Sequence, residues 1–214
     1  IHETRCLIVS EAKEYKYVGT RRVRPDGYDK VTGRANYGAD LALPGMIWGK
    51  ILRSPHAHAK INGIDTGKAE AYPGVSAVVT FQDFPEKSQG NPSAQNILAN
   101  TKALYHGHAI AAVAAKTEQI AEEALGLIEV DYEVLPPVMD LDTAMAEGAT
   151  LINENLKTSG LPEPATESSN IAARQELKIG DIDAGFAEAD VIVEREYSTP
   201  TVHQGYIEPH ACTV

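Results

Sequence analysis

The chain has 214 residues, 43% of them hydrophobic and 23% charged, with a formal net charge of -11 at pH 7. This composition is typical of a soluble globular protein with one large or two small domains, and its acidic balance argues against nucleic-acid binding, because phosphate binding requires clustered lysine and arginine. Every apolar stretch is much shorter than the roughly 20 residues of a membrane helix, and no signal sequence is visible, so we expect a cytoplasmic protein without a membrane partner.

The start of the sequence predicts an arm followed by turns. Residues 1–17 are mixed and polar, which favours an N-terminal arm. Pro25-Asp26-Gly27 is a turn signal, because proline presets one turn dihedral and glycine tolerates a positive φ, and we expect a loop before Lys30. The basic residues 21, 22 and 24 are interpreted as a solvated or ion-paired turn rather than an anion site.

A buried strand and a short helix are predicted next. Residues 46–52 are mostly apolar, which suggests a strand covered on both faces with Trp48 in the core. Asp65 and Thr66 offer side-chain oxygens that can cap a short helix, and a Pro-Gly pair ends that helix. The strand that follows is predicted to place residues 75, 77 and 79 on one face.

The clearest helix of the sequence follows an apolar strand at residues 110–115. Thr117 is the predicted cap. Ile120, Ala124 and Ile128 recur at helical spacing and predict one apolar stripe that packs on a sheet.

The second half then becomes less regular. Val130, Tyr132 and Val134 alternate with acidic residues, which is the pattern of a half-buried strand. A weak helix and a loop rich in Pro, Ser, Thr and Glu follow, and Gly180-Asp181 is predicted to cap a further helical turn before a strand that starts at Val191. Because helices and strands mix without regular alternation, the expected fold class is α+β or mixed α/β.

Cysteine content excludes several kinds of site. Cys6 and Cys212 stand near opposite ends of the sequence. They provide neither a disulfide framework nor the ligand spacing of a zinc or iron–sulfur site. Any iron–sulfur cluster must therefore lie on other domains or chains.

Two His-x-His pairs are the most suggestive polar motifs, formed by His56 with His58 and by His106 with His108. Alternate residues of a strand point to one face and could share a metal. Mononuclear zinc needs three or four ligands, however, and the neighbouring Pro55 suggests a turn. We therefore favour structural or hydrogen-bonding roles for these histidines and keep metal binding as an alternative.

Two other polar residues could take part in chemistry. Ser54 lies beside His56, but no G-x-S-x-G elbow surrounds it, which argues against a hydrolase nucleophile. Glu208 lies among apolar residues, where a carboxylate needs a partner, and a structural role is preferred over a catalytic one.

The ends of the sequence favour a piece of a larger subunit. Ile1 is not an initiator methionine, and the sequence ends at Val214 within β-forming residues. We therefore expect a fragment, a processed chain or a separate piece of a larger subunit.

Several segments together resemble one family. They are GTRRVRPDGYDKVTG, ADLALPGM, RSPHAHA, PGVSAVVT, GHAIAAVAAKT, VDYEVLPPV and GYIEPHACT. Over nearly its whole length the chain is similar to the first part of the large subunit of molybdopterin-dependent hydroxylases related to xanthine dehydrogenase and aldehyde oxidase.

The resemblance implies an α/β hammerhead domain followed by the beginning of a mixed α/β molybdopterin-binding domain. The implied division is residues 1–17 as the arm, 18–138 as the hammerhead, 139–175 as a linker and 176–214 as the start of the second domain. It further implies a molybdenum-molybdopterin cofactor that hydroxylates an activated carbon with oxygen from water. Electrons then leave through iron–sulfur clusters, and in some members FAD, on partner domains or chains.

The resemblance assigns no catalytic, cofactor-binding or metal-binding residue to this chain. The family's glutamine-bearing and glycine-rich cofactor segments and its base glutamate have no counterpart in the sequence. His203, Gln204 and Glu208 could at most support residues that contact the cofactor. The chain is thus expected to act as scaffold, and not as an enzyme by itself.

Two rival functions remain open. A non-catalytic assembly module would use the same domain as an interaction surface or as a cofactor-insertion partner. A zinc hydrolase built on the His-x-His pairs would carry stoichiometric zinc. The specific substrate, among purines, aldehydes, nicotinate and thioesters, does not follow from these residues.

Overall fold

The computed structural model describes residues 15–85, 87, 92–207 and 210–214. The chain divides into two compact units, Ile1–Leu43 with Thr199–Val214 and Pro44–Ser198. Within the described ranges, no helix combines the length and apolar character needed to cross a bilayer.

The first unit contains helix α1 (Gly27–Thr32), which replaces the loop expected before Lys30. Asp26 precedes this helix and pairs with Arg24 at 2.7 Å and with Lys30, one turn into the helix, at 3.3 Å. These hydrogen bonds, first of all the one from Arg24, hold the pKa of the Asp26 carboxyl well below its usual range. The pairing of Arg24 confirms the ion-paired interpretation for that residue, and the anchoring of Lys30 by Asp26 favours helix over loop.

Two three-stranded antiparallel sheets form the second unit. The first, sheet A, has the order β1-β5-β3 and the second, sheet B, the order β4-β2-β6. The six strands are β1 (Trp48–Arg53), β2 (Ala59–Asp65), β3 (Val75–Thr80), β4 (Lys102–Ala103), β5 (Ala109–Ala115) and β6 (Glu129–Val134). The α-helices of this unit whose bounds lie within the described residues are α2 (Gly67–Glu70), α3 (Pro92–Ile97), α4 (Glu118–Leu125), α5 (Leu141–Met145) and α6 (Ile182–Glu188).

Helix α4 forms where the sequence predicts it but ends at Leu125, before Ile128. The Thr117 hydroxyl accepts a hydrogen bond from the backbone N–H of Ile120 at 3.2 Å, which caps the helix. Ala121 and Ala124 are fully buried against β5, and Ile128 joins the same cluster. Lys50 of β1 bonds Glu118 on the other side of the interface at 2.6 Å.

Bulges in two strands reconcile apolar spacing with the sheet. Ile61 and Ile64 both pack on the core although they are three residues apart, and strict alternation would place them on opposite faces. The register of β2 against β6 shifts between Ile61 and Gly63, which leaves Asn62 without a cross-strand partner. The extra residue of this bulge returns Ile64 to the core side.

A second bulge explains why the prediction for β3 was wrong. Its register against β5 shifts between Val75 and Ala77. Val75 therefore packs on the helix-covered cluster together with Val78, and Val79 packs on the separate cluster around Phe81. The expectation that residues 75, 77 and 79 share one face was wrong, because it assumed an unbroken period of two.

Strand β1 is covered on one face only. It is an edge strand of its sheet, and only Lys50 and Leu52 are partly buried. Trp48, predicted as core, is 36% exposed. The prediction of two covered faces was wrong because α4 packs on one side of this sheet, and apolar composition alone does not reveal an edge position.

The structure confirms the predictions for β6 and α6 in part or in full, but not the prediction of a strand from Val191. In β6, Val130 and Tyr132 pack on the core as predicted, but Val134 is exposed at the strand end. The Asp181 carboxylate accepts from Ala184 N–H at 3.0 Å and caps α6 as predicted. The strand expected from Val191 does not form a paired strand within the described chain, since a strand exists only through hydrogen bonds to a neighbour.

Residues 150–174 form an ordered loop. The Asn170 side chain donates to the Thr150 carbonyl at 3.0 Å and to the Ala144 carbonyl at 3.1 Å. Its carbonyl oxygen accepts from Ile152 N–H at 3.0 Å. One side chain thus satisfies three backbone groups and holds the loop against the end of α5.

A close approach in this loop requires glycine. Gly160 has a φ of +76°, and a Cβ built there would lie 2.0 Å from the Arg174 carbonyl oxygen. Gly148 has a similar φ of +74°, but a Cβ there would meet nothing within 4 Å. Comparing substitutions at the two glycines therefore distinguishes the cost of backbone strain from the cost of a steric clash.

We therefore expect Gly160→Ala to destabilise the chain more than Gly148→Ala. The second change should cost only the strain of a left-handed alanine, about 1 kcal/mol, whereas the first must also open the loop. Urea denaturation measures both costs. Hydrogen exchange at the amides of Ser159 and Arg174, which bond across the loop, should accelerate in Gly160→Ala, and equal stability of the two variants would contradict the clash.

The core depends on Ile110, which is fully buried in β5. Ile110→Ala should lower the free energy of unfolding by about 2 to 5 kcal/mol, the usual cost of removing a buried isoleucine side chain. Ile51 of the neighbouring strand is 47% exposed and is the matched control, with an expected cost below about 1 kcal/mol. Similar costs for both variants in urea denaturation would show that the assigned core is wrong.

Candidate functional site

The turn between β1 and β2 contains three of the polar residues that the sequence singles out, Ser54, His56 and His58. We call Ser54–His58 the histidine turn. Ser54 is 2% exposed, and its backbone N–H donates to the His108 carbonyl at 2.8 Å while its carbonyl accepts from Gly107 N–H at 2.9 Å. The histidine turn is therefore tied to the turn that contains the second His-x-His pair.

The Ser54 hydroxyl serves the backbone. It donates to the His56 carbonyl at 2.9 Å and accepts from the His56 N–H at 3.1 Å. Burial raises the pKa of the nearby Tyr132 phenol, and a hydrogen bond with Ser54 partly opposes that rise. A hydroxyl held this way does not face an imidazole base, so the geometry does not support a Ser-His nucleophile.

His58 and His108 are both buried, and their Nδ1 atoms play opposite hydrogen-bonding roles. His58 Nδ1 lies 2.9 Å from the Pro136 carbonyl, and because a carbonyl only accepts, this nitrogen carries the proton. His108 Nδ1 accepts from Leu104 N–H at 3.2 Å, which leaves the proton on Nε2. His108 also stacks on Tyr105 with 4.5 Å between ring centroids. Each ring thus stabilises a turn.

The other two histidines lie nearer to the surface. His56 is half-buried and meets the Tyr132 ring edge-on at 5.0 Å, and His106 is exposed. Among the described residues, no group of three or more His, Cys, Asp or Glu side chains is arranged to hold a metal ion. The zinc-hydrolase hypothesis gains no support from the placement of either pair.

A polar cleft lies beside the histidine turn, on sheet B. Its volume is about 250 Å³. Residues from β2, from the stretch around β4 and from the loop after α5 line it, among them Lys60, Asn100, Thr101, Lys102, Asn153 and Glu154.

Lys102 is the central charge of this cleft. Its side chain is only 13% exposed and pairs with Glu154, and its Nζ also donates to the Ile152 carbonyl at 3.4 Å. The hydrogen bond from Lys102 lowers the pKa of the Glu154 carboxyl. Because the folded-state pKa is lowered, this pair stabilises the fold above the ordinary carboxyl pKa and loses that contribution as the pH falls through the lowered value.

Sequence reasoning missed Lys102, Glu154 and Asn170. Lys102 and Glu154 are 52 residues apart, and no local pattern marks either of them. Lys60 also lines the cleft, where it pairs with Glu133 across the strands at 3.0 Å. The two lysines of the cleft are thus already neutralised by carboxylates.

The remaining candidates lie elsewhere in the chain. His203 is exposed, and its Nδ1 accepts from Gly205 N–H at 2.9 Å. Gln204 is also exposed. Cys212 is an exposed thiol. Glu208 and Cys6 lie outside the described residues.

Comparison with known proteins identifies two consecutive domains. Residues 32–136 match the family model of the aldehyde oxidase and xanthine dehydrogenase a/b hammerhead domain. Residues 163–214 match the model of the molybdopterin cofactor-binding domain.

Individual relatives agree with both matches. The chain is 40% identical over 190 residues to a probable xanthine dehydrogenase subunit of Bacillus subtilis, covering 87% of this chain and 24% of that protein. It is 33% identical to the nicotinate dehydrogenase large molybdopterin subunit of Eubacterium barkeri, covering 93% of this chain and 44% of that protein.

A solved structure shares the fold. The structure of reconstituted CO dehydrogenase from Oligotropha carboxidovorans superimposes with a TM-score of 0.65 at 38% identity, covering 81% of this chain and 22% of that one. The chain spans about a quarter of the length of the Bacillus relative. It belongs to the aldehyde oxidase and xanthine dehydrogenase family of molybdenum hydroxylases, with the α/β hammerhead domain followed by a segment of the molybdopterin cofactor-binding domain.

Proposed function

We propose that this chain is part of the molybdopterin-binding subunit of a molybdenum hydroxylase and acts there as scaffold. The scaffold role rests on one observation: the charged side chains of the polar cleft form ion pairs with each other, Lys102 with Glu154 and Lys60 with Glu133. Side chains that already bond each other stabilise a surface and have little left to offer a substrate.

The proposed domain division places the arm at residues 1–17, the hammerhead at 18–138, a linker at 139–175 and the first part of the molybdopterin-binding domain at 176–214. The end of the first family match at residue 136 supports a boundary near residue 138, whereas the second match begins at residue 163, within the proposed linker. Pro136 and Pro137 support a boundary at the end of the hammerhead, because consecutive prolines cannot continue a hydrogen-bonded strand.

The family relationship implies a molybdenum-pterin cofactor, which supplies the redox chemistry when bound. The cleft of about 250 Å³ is smaller than typical pockets for small molecules, which run from roughly 300 to 1,000 Å³, and its charged groups bond one another. The residues that line this cleft do not fit a pterin cofactor. We therefore propose that the cofactor ligands lie on other parts of the subunit, and we assign this chain no catalytic step.

The proposed reaction of the complete enzyme is hydroxylation of an activated carbon with oxygen from water, or reduction of an aromatic thioester. Relatives named as xanthine and nicotinate dehydrogenases support the first reaction class. We further propose a cytoplasmic complex in which iron–sulfur clusters, with or without FAD, lie on partner subunits or domains. The short supply of cysteine in this chain supports that division, because clusters need several thiolate ligands.

Metal analysis tests this function. The chain purified alone should carry no stoichiometric molybdenum, and molybdenum with pterin should copurify when the chain is isolated together with the proteins of its own complex. Absence of molybdenum from that complex would contradict the proposal. Stoichiometric zinc in the isolated chain would favour the hydrolase, and a chain that binds the enzyme only before cofactor insertion would favour the assembly module.

Lys102→Met tests the scaffold role. Removing this largely buried charge should lower the free energy of unfolding by about 1 to 2 kcal/mol, because the Ile152 carbonyl and Glu154 lose their partner. Lys60→Met is the control, since its pair is exposed and should contribute less than about 1 kcal/mol. In the assembled enzyme, Lys102→Met should reduce molybdenum content and activity together, with kcat per molybdenum unchanged, and a selective fall in kcat per molybdenum would contradict the scaffold role.

A further inference from the structure

Asn62-Gly63 is the one Asn-Gly pair in the sequence. An asparagine side chain can be attacked by the backbone nitrogen of the next residue, which closes a five-membered imide. Glycine favours this reaction because it has no Cβ to shield its nitrogen or restrict its backbone. A regular strand opposes the reaction, since ladder hydrogen bonds hold the main chain extended. Whether Asn62 reacts therefore depends on the local geometry of this pair.

Asn62 and Gly63 lie at the bulge of β2, where the regular pairing with β6 is interrupted. Ile61 pairs with Tyr132 and Gly63 with Asp131, and Asn62 is skipped. The bulge is required by the sequence, because Ile61 and Ile64 both belong to the core although an odd spacing separates them. The extra residue of a bulge is unpaired and departs from extended geometry.

Solvent has access to both residues. Asn62 and Gly63 are exposed, and a Cβ built on Gly63 would meet nothing within 4 Å. The open space leaves room for the main chain to fold back on the asparagine side chain, and water can reach the product.

We propose that Asn62 is a site of spontaneous deamidation. The Gly63 nitrogen forms a bond to Cγ of Asn62, and the bond from Cγ to the side-chain nitrogen breaks. The departing nitrogen takes up the Gly63 amide proton and leaves as ammonia. Water then adds to one of the two imide carbonyls and breaks its bond to nitrogen, which gives aspartate or isoaspartate without any change of oxidation state.

Both products disturb sheet B. Each adds a negative charge next to Asp131, which pairs with Gly63, and near Asp65 at the end of β2. Isoaspartate also inserts a methylene into the main chain of the central strand of the sheet. The altered strand continues into Lys60, whose pair with Glu133 depends on the register. Conversion of Asn62 should therefore lower the stability of this sheet.

The test follows the 214-residue chain during incubation in warm, mildly alkaline buffer. Peptide mass spectrometry should find the mass gain of amide-to-acid conversion first at Asn62, with isoaspartate as the main product. Asn36 is an internal reference, because it is exposed but is followed by Tyr37. A parallel incubation in urea measures the rate of deamidation at Asn62 in the unfolded chain.

Gly63→Ala is the matched variant. Since the added methyl has open space and φ at this position is not positive, the variant should fold normally, as circular dichroism and urea denaturation would verify. Its conversion at Asn62 should be slower by about tenfold or more, because a side chain now hinders the attacking nitrogen. Equal rates in the two chains would overturn the proposal, and so would an Asn62 that stays intact in the folded chain while it converts in urea.

Discussion

The second unit depends on β5, because this strand has both faces covered. It is the central strand of its sheet, and Ala111, Val113 and Ala115 point to the cluster under α4. Ile110 belongs instead to the cluster that sheet B contributes through Ile61, Ile64 and other residues. The small side chains let a helix approach closely on one face, and Ile110 on the other face takes part in a core shared by the two sheets.

Local physics explains which elements the sequence could predict. Helix α4 needs only the Thr117 cap and the helical spacing of Ile120 and Ala124, which act within little more than two turns. The bulges at Asn62 and Ser76 were not predicted, because they arise when apolar residues at odd spacing must reach one core. That requirement appears only once the neighbouring strand and its register are known.

The candidate site shows the same limit more strongly. The sequence singles out the histidines and favours structural or hydrogen-bonding roles for them. It could not assign their partners, because His58 bonds a carbonyl 78 residues away and Lys102 bonds a carboxylate 52 residues away. Contacts at such separations follow from the topology of the sheets and from the ordered loop after α5, and no local pattern encodes them.

The pairing of these polar groups supports the proposed scaffold role. A catalytic group must interact more strongly with a transition state than with its resting surroundings. Ser54 already bonds the backbone of His56, Lys102 bonds Glu154, and each buried histidine uses Nδ1 for a main-chain group. Within the described part of the chain, the one buried side-chain atom without a hydrogen-bond partner is His58 Nε2. One ring nitrogen without a hydrogen-bond partner does not by itself form an acid-base pair, a nucleophile or an anion site. These contacts are the ones that the proposed scaffold role requires, because each of these side chains holds a turn of the fold or joins one segment to another.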